Sequence, residues 1–357
     1  MEESQPRRSA RSAKPRDFGP NFQVYLVERD PESYAEAMAS HDAPFWREAI
    51  DDEMHSIMSN NTWILSDIGC RWIFRKKLKS DGTLDKYKAR LVAKGFTQLK
   101  DIDYFDTFAP VARMTSIRLL IALSAIHSLV IHQMGVKTAF LNGDLDEEVY
   151  MKKPKGFVIL DQEHKVCKLL KSLYGLKQAP KQWNEKFRRV MISNGYSING
   201  GDICIFSKFQ EKSGVIICLY IDDMLIFGTD IERVKETKFF LASQFEMKDL
   251  GEADVILGIE IIRSANGLTL SQSSYIKKVL KRFGHFDDKS APTPFDPSIK
   301  LTRNSSDVLD QLTYSQIVGS LMYAMHCIRL DIGYAVGTLS KFTSNHGVAH
   351  WNALILF

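Results

Sequence analysis

The sequence predicts an α+β fold. Three observations lead there: three strand patterns that double back as hairpins, amphipathic stretches at helical spacing between them, and no regular strand–helix–strand alternation of the kind that builds a parallel sheet. No internal repeat is present.

Taken in order, "MEESQPRRSARSAKPRDFGP" (residues 1–20) is polar, basic and proline-bearing, and reads as a disordered arm. "PFWREAIDDEMHSIMSNN" places Phe45, Ile50, Met54, Ile57 and Met58 at helical spacing. "RWIFRKKL" and "TLDKYKARLVAKG" flank a turn at Asp81–Gly82 and predict a hairpin. Ser116–Ile131 and Lys181–Ser193 predict amphipathic helices, the second closed by Asn194–Gly195. Val215–Tyr220 and Met224–Phe227 are the arms of a hairpin. A helix over Ile231–Phe245 follows, capped by Thr229 or Asp230. "DVILGIEII" and "LTLSQ" form a third hairpin turning near Asn266–Gly267. Ser273–Phe283 and two segments after Tyr314 are helical, and "SAPTPFDPS" is a proline-rich link.

The 357 residues, 45% hydrophobic and 25% charged, are ordinary for a globular protein. The longest apolar stretch, Leu119–Ile131, is interrupted by Ser124, His127 and Ser128, so no membrane span or secretory signal is expected. Five scattered cysteines without a CxxC pair argue against disulfides or structural zinc and for a reducing, intracellular compartment, cytoplasmic or nuclear. The net charge of +4 conceals two basic segments. Arg71–Lys100 carries +8 and Lys165–Arg189 carries +7, with Trp72, Phe74, Tyr87, Tyr174 and Trp183 among the cations. That pattern is either an electrostatic footprint for phosphate backbones or a pair of solvated faces.

The stretch "VIICLYIDDMLIFG" sets Asp222 and Asp223 side by side amid apolar strand. Two ionised carboxylates there are costly unless a cation compensates them. A hairpin tip at Asp222–Asp223, with Leu219, Ile221, Leu225 and Phe227 packed inward, brings both acids to one point. Oxygen donors so placed suit Mg²⁺. The competing reading is a solvated turn, since Asp is a common turn residue.

Around that doublet, "NTWIL", "KARLVAKGFTQ", "FAPVARMTSIRLL", "KTAFLNGDLDEEVYM", "KSLYGLKQAPKQW", "CLYIDDMLIFG", "LGIEI" and "VGSLMYAM" occur in an order and spacing that resembles the reverse transcriptase region of copia-type LTR retrotransposon Pol polyproteins, especially plant ones. The resemblance runs from about Phe18 to Trp351. It implies a right-hand polymerase with fingers and palm over residues 21–262. A hairpin arm and thumb-like helix would span 263–290. A linker and truncated connection segment would fill 291–357, before a missing ribonuclease H region.

The resemblance further implies two Mg²⁺ (or Mn²⁺) ions held by Asp222, Asp223 and the backbone of Val136. Arg90, assisted by Lys86 or Lys88, would hold the incoming deoxynucleoside triphosphate, a task suited to the arginine fork. Phe140 would exclude a ribose 2′-OH, although an ordinary core Phe gives the same pattern. Tyr174, Gly175 and Gln178 would contact the template base and nucleotide. Leu257, Gly258, Ile259 and Glu260 would form the primer grip, and Lys248 would donate a proton to pyrophosphate. The implied partners are an RNA or DNA template with primer, and no membrane.

The chain also departs from the family pattern. "QMGVKTAF" places Gly135 where the family carries its first catalytic aspartate. Ser66–Ile68 are what remains of a longer segment, Leu330 replaces a proline, and the chain ends at "HWNALILF". Asp144, Asp146, Glu147 and Glu148 lie nearby in sequence, but "NGDLDEE" reads as a turn leading elsewhere. Two expectations follow: a reverse transcriptase copy crippled in two-metal nucleotidyl transfer, or a non-catalytic nucleic-acid-binding remnant of a transposon Pol protein.

Overall fold

The computed structural model describes residues 30–60, 63–64, 70–79, 83–151, 153–154, 156, 167–211, 213–265, 267–287, 293, 301–305 and 309–355. The basic arm, the Ser66–Ile68 remnant, the Asp81–Gly82 turn and the proline-rich link apart from Thr293 lie outside them. The chain divides into two compact units, one of residues 1–53 and 72–90, the other of 54–71 and 91–357. The observed fold is mixed α and β with antiparallel sheets, in agreement with the α+β expectation.

In chain order the helices and strands begin with α1 (Tyr34–Ala39), α2 (Ala43–Ser59), β1 (Trp63–Ile64), β2 (Cys70–Leu78) and β3 (Leu84–Ala93). The first unit pairs the ribbon β2–β3 with the apolar side of α2. Trp46, 1% exposed, meets Phe74 and Tyr87 edge-on at 5.2 and 4.7 Å, and Phe45 stacks on Tyr87 at 5.1 Å. Because side chains alternate along a strand, Tyr87 and Ala89 turn to one side while Lys86, Lys88 and Arg90 share the other. Lys76 pairs with Asp42 at 2.6 Å and holds its carboxyl below the usual range.

The second unit continues with α3 (Met114–His127), β4 (Val130–Val136), β5 (Asp144–Met151), β6 (Cys167–Lys171), α4 (Ala179–Ser193), β7 (Ser197–Ile198), β8 (Ile205–Gln210), β9 (Ser213–Tyr220) and β10 (Asp223–Gly228). Then come α5 (Ile231–Gln244), β11 (Met247–Glu252), β12 (Val255–Ile256), β13 (Ile259–Ser264), β14 (Gly267–Ser271), α6 (Ser273–Phe283), α7 (Gln311–Cys327), α8 (Gly333–Ser340) and α9 (Val348–Ile355). Its centre is a six-stranded sheet in the order β11-β4-β10-β9-β8-β7, antiparallel throughout. One face packs Met134, Val136, Leu219, Met224 and Ile226 against Trp183 and Phe187 of α4 and Val234 and Leu241 of α5. The other packs Ile131, Leu225 and Phe227 against Ile117, Leu120 and Ile121 of α3. Residues 224–227 feed the two faces alternately, which is why "MLIF" reads as an unbroken apolar run.

Four sequence expectations need correction. The predicted helix over Ser116–Ile131 stops at His127. Ser128 adopts a left-handed φ of 53° with its N–H on Ser124 O, and the β-branched Val130–Ile131 start β4 instead. "DVILGIEII" is not one strand but two short ones, reversed at Leu257 (φ 51°) and Gly258 (φ 70°). "NGDLDEE" is not a turn: Asp144–Met151 pair with β6 in a separate sheet of order β1-β6-β5, anchored by buried Val149 and Leu169. Among the described residues three α-helices, not two segments, follow residue 310. All five cysteines are free thiols, four of them buried. Among the described residues no helix is long and apolar enough to cross a membrane.

The C-terminal helices close over Tyr314, Ile317, Val318, Leu339, Ala353 and Leu354. His346, fully buried, stacks on Tyr314 with ring centroids 4.0 Å apart, and neither ring nitrogen finds a hydrogen-bond partner among the described residues. Burial, and next the neighbouring His350, hold His346 below its ordinary 6.5. Below about pH 6.5 the unfolded chain takes up a proton that the native state resists, so stability is complete above that pH and falls as pH drops. The melting temperature is therefore expected to decline from pH 7 to pH 5, and His346→Phe to flatten the decline; an unchanged slope in that variant would contradict the assignment.

Candidate active site

The hairpin β9–β10 delivers the aspartate doublet. Tyr220 pairs with Asp223, so the two-residue loop is Ile221–Asp222 and Asp223 already belongs to the returning strand. The tip expected at Asp222–Asp223 is thus displaced by one residue. Nor does Ile221 pack inward: it is 40% exposed. It also carries a φ of 58°, whereas Asp222 is not among the positive-φ residues. That is the pattern of a turn whose first position favours glycine. A β-branched residue held there costs on the order of 1–3 kcal/mol.

Two hydrogen bonds hold the loop. The indole Nε1–H of Trp183, on α4, donates to Ile221 O at 2.7 Å. The Val136 N–H, on β4, donates to Asp222 O at 2.8 Å. Trp183 itself is 2% exposed and packs edge-on to Phe245 at 5.2 Å and tilted on Phe187 at 5.6 Å.

The register then decides what surrounds the acids. Lys248, Gly135, Asp223 and Tyr220 stand opposite one another across β11, β4, β10 and β9. Directly opposed residues share a face, here the one turned away from α4 and α5. A Cβ built on Gly135 would lie 3.5 Å from Asp223 Oδ1, 3.9 Å from Leu250 Cδ1 and 4.0 Å from Asp222 O. Those are ordinary contacts, so the position has room for a side chain. Among the described residues no group of three His, Cys, Asp or Glu is arranged to hold a metal. Asp222 and Asp223 supply carboxylate oxygens that suit a hard divalent cation, while the two loop carbonyls, Ile221 O and Asp222 O, each already accept a hydrogen bond.

A second constellation lies on the following loops. The Phe140 and Tyr174 rings meet at 5.5 Å, and Ala93 N–H donates to Tyr174 O at 2.8 Å. Gly175 has φ 91°, and a Cβ there would fall 2.3 Å from Ala93 O. Gln178 is fully buried with its amide engaged on both sides, accepting from Gln98 Nε2 and donating to Asp103 O, both at 3.1 Å. Gln178 is thus an internal brace in this structure. Leu257 and Gly258 form the β12–β13 turn, Leu257 O accepts from the Tyr323 hydroxyl, Ile259 is buried and Glu260 half-buried. Lys86, Lys88 and Arg90 belong to the first unit, where burial first, then the Arg90 and Lys77 cations, bring Lys88 down to about 8.

Residues 57–297 match the family model described as "Reverse transcriptase (RNA-dependent DNA polymerase)". The chain belongs to the reverse transcriptase family. It is 43% identical over 354 residues to the Retrovirus-related Pol polyprotein from transposon TNT 1-94 of Nicotiana tabacum, covering 94% of this chain and 27% of that protein. It is 42% identical over 318 residues to the corresponding polyprotein from transposon RE1 of Arabidopsis thaliana (87% and 22%), and 39% identical over 341 residues to that from RE2 (90% and 23%). The chain spans about a quarter of the length of these copia-type relatives.

Within this reverse transcriptase, sequence reasoning missed Gln98 and the pinning of the doublet loop by Trp183. A buried indole needs an acceptor for its N–H, and that requirement was the available signal. Gly175→Ala is expected to cost at least about 2 kcal/mol in a denaturant melt, since φ and clash both oppose a Cβ. A loss under about 0.5 kcal/mol, the range of an unremarkable surface substitution, would contradict that close approach.

Proposed function

We propose that this chain is the polymerase portion of a copia-type Pol polyprotein, an RNA-directed DNA polymerase by descent, and that Gly135 leaves this copy severely impaired in nucleotidyl transfer. The observation that carries the second part is the register. Glycine stands opposite Asp223, where an added side chain would start 3.5 Å from the Asp223 carboxylate and 4.0 Å from the Asp222 backbone carbonyl. The six-stranded sheet with α4 and α5 is the palm in this reading, and the ribbon β2–β3 belongs to the fingers.

In the intact family site, paired Mg²⁺ ions activate the attacking oxygen and steady the leaving one. Asp222 and Asp223 would hold such an ion here, with the Val136 carbonyl beside them; no step is assigned through a second. Lys86, Lys88 and Arg90 share a strand face and would receive the triphosphate, Arg90 by its fork. Phe140 would press on the sugar with Tyr174 edge-on to its ring, and Gly175 would let backbone approach the nucleotide. Gln178 would keep that loop in place through Gln98 rather than touch the base. The Leu257–Glu260 turn would bear on the primer. Lys248, in line with the doublet across Gly135, would meet the leaving pyrophosphate.

Gly135 together with the cationic strand face also favours a second reading, a non-catalytic nucleic-acid-binding remnant. The two readings divide on primer extension over an RNA template with Mg²⁺. The unmodified chain is expected to extend at least about 10³-fold more slowly than its Gly135→Asp variant. Brisk extension by the unmodified chain would sink the impairment claim. Salt-dependent template binding with both forms inert would favour the remnant.

A further inference from the structure

We infer that Trp183 is the positioning residue of the aspartate doublet: its indole N–H holds the Ile221 peptide in a conformation that the sequence of the loop disfavours, and so sets the direction in which Asp222 and Asp223 leave the sheet. The inference deepens the proposed function and rests on it as far as metal is concerned, but its geometric half stands independently.

The Ile221 side chain does little to order the loop. Ile221 is β-branched, sits at φ 58° and is 40% exposed, so burial of its side chain does not keep it there. The two loop carbonyls are instead taken by two different elements, Ile221 O by Trp183 of α4 and Asp222 O by Val136 N–H of β4. The β4 bond belongs to the sheet and follows from the pairing of Gly135 with Asp223. The α4 bond is a side-chain strut, aimed from a ring clamped by Phe187 and Phe245. Removing the strut lets the Ile221 peptide rotate toward an unstrained φ. That rotation carries Asp222 with it and loosens the bond from Val136.

Trp183→Phe keeps an aromatic ring in the core and removes the donor. Hydrogen exchange of the Val136 amide reads the loop directly. The expected change is roughly two- to tenfold faster exchange, the span of one ordinary hydrogen bond. The decisive arm is Trp183→Phe with Ile221→Gly. Glycine takes a positive φ without steric cost, so Val136 protection should return although the core still lacks its indole. Unchanged protection in Trp183→Phe, or a loss that Ile221→Gly fails to restore, would overturn the inference, the latter by marking Trp183 as a packing residue alone. A parallel Mn²⁺ titration by electron paramagnetic resonance should show affinity falling and recovering in the same order. Mn²⁺ binding that is absent from the unmodified chain, or that survives Asp222→Asn with Asp223→Asn, would sink the metal reading and leave the exchange result to judge Trp183.

Discussion

The pairing of β4 with β10 is the constraint on which the rest of the site depends. Asp223 faces Gly135, and Asp222 O takes the Val136 N–H, because the two strands lie in one register and no other. A slip of one residue would send every side chain of a strand to the opposite face. Both faces of this sheet are apolar and differently shaped: Met134, Met224 and Ile226 fit α4 and α5, while Ile131, Leu225 and Phe227 fit α3. The hydrophobic core therefore fixes which residue stands beside the doublet. Sliding β4 by one residue cannot bring another residue opposite Asp223 without sending the apolar set of each face to the other.

Electrostatics gives that glycine its consequence. Two adjacent carboxylates at a hairpin tip repel each other and attract a hard divalent ion. The acids of residues 144–148 belong to a strand of the separate three-stranded sheet, where Asp144 pairs with Lys186 and Glu148 with Lys168. Lys248 stands next in line across the glycine and brings positive rather than negative charge. The register thus places a neutral glycine and a lysine beside Asp223 on one face of the sheet. The residues that pack the two faces of the sheet do not include Gly135, Asp222 or Asp223, so a substitution at those positions leaves the core packing in place.

Much of the fold was legible because apolar alternation and caps are local signals. The doublet hairpin, α4 with its Gly195 terminus at φ 79°, and α5 with its Asp230 cap all lie close to their expected bounds. What escaped is set by tertiary contacts. The left-handed Ser128 divides α3 from β4, and Leu257–Gly258 folds an apparently continuous apolar strand, although neither breaks the composition. At the site, the motifs located the residues but not their state. Gln178 looked available and is internally bonded; Ile221 looked buried and is an exposed, strained turn residue. A pattern of residue types cannot reveal where a carbonyl of one element meets a donor from another, as Ile221 meets Trp183.

The most direct test of the account is a count of ions. Mn²⁺ bound per chain should be measured for the unmodified protein and for Gly135→Asp, each with primer–template and a non-reactive nucleotide analogue present. A single weakly held Mn²⁺ in the unmodified chain and two in the variant are the predicted result. Two tightly held ions in the unmodified chain would contradict it, because the glycine would then not be the missing part of the site.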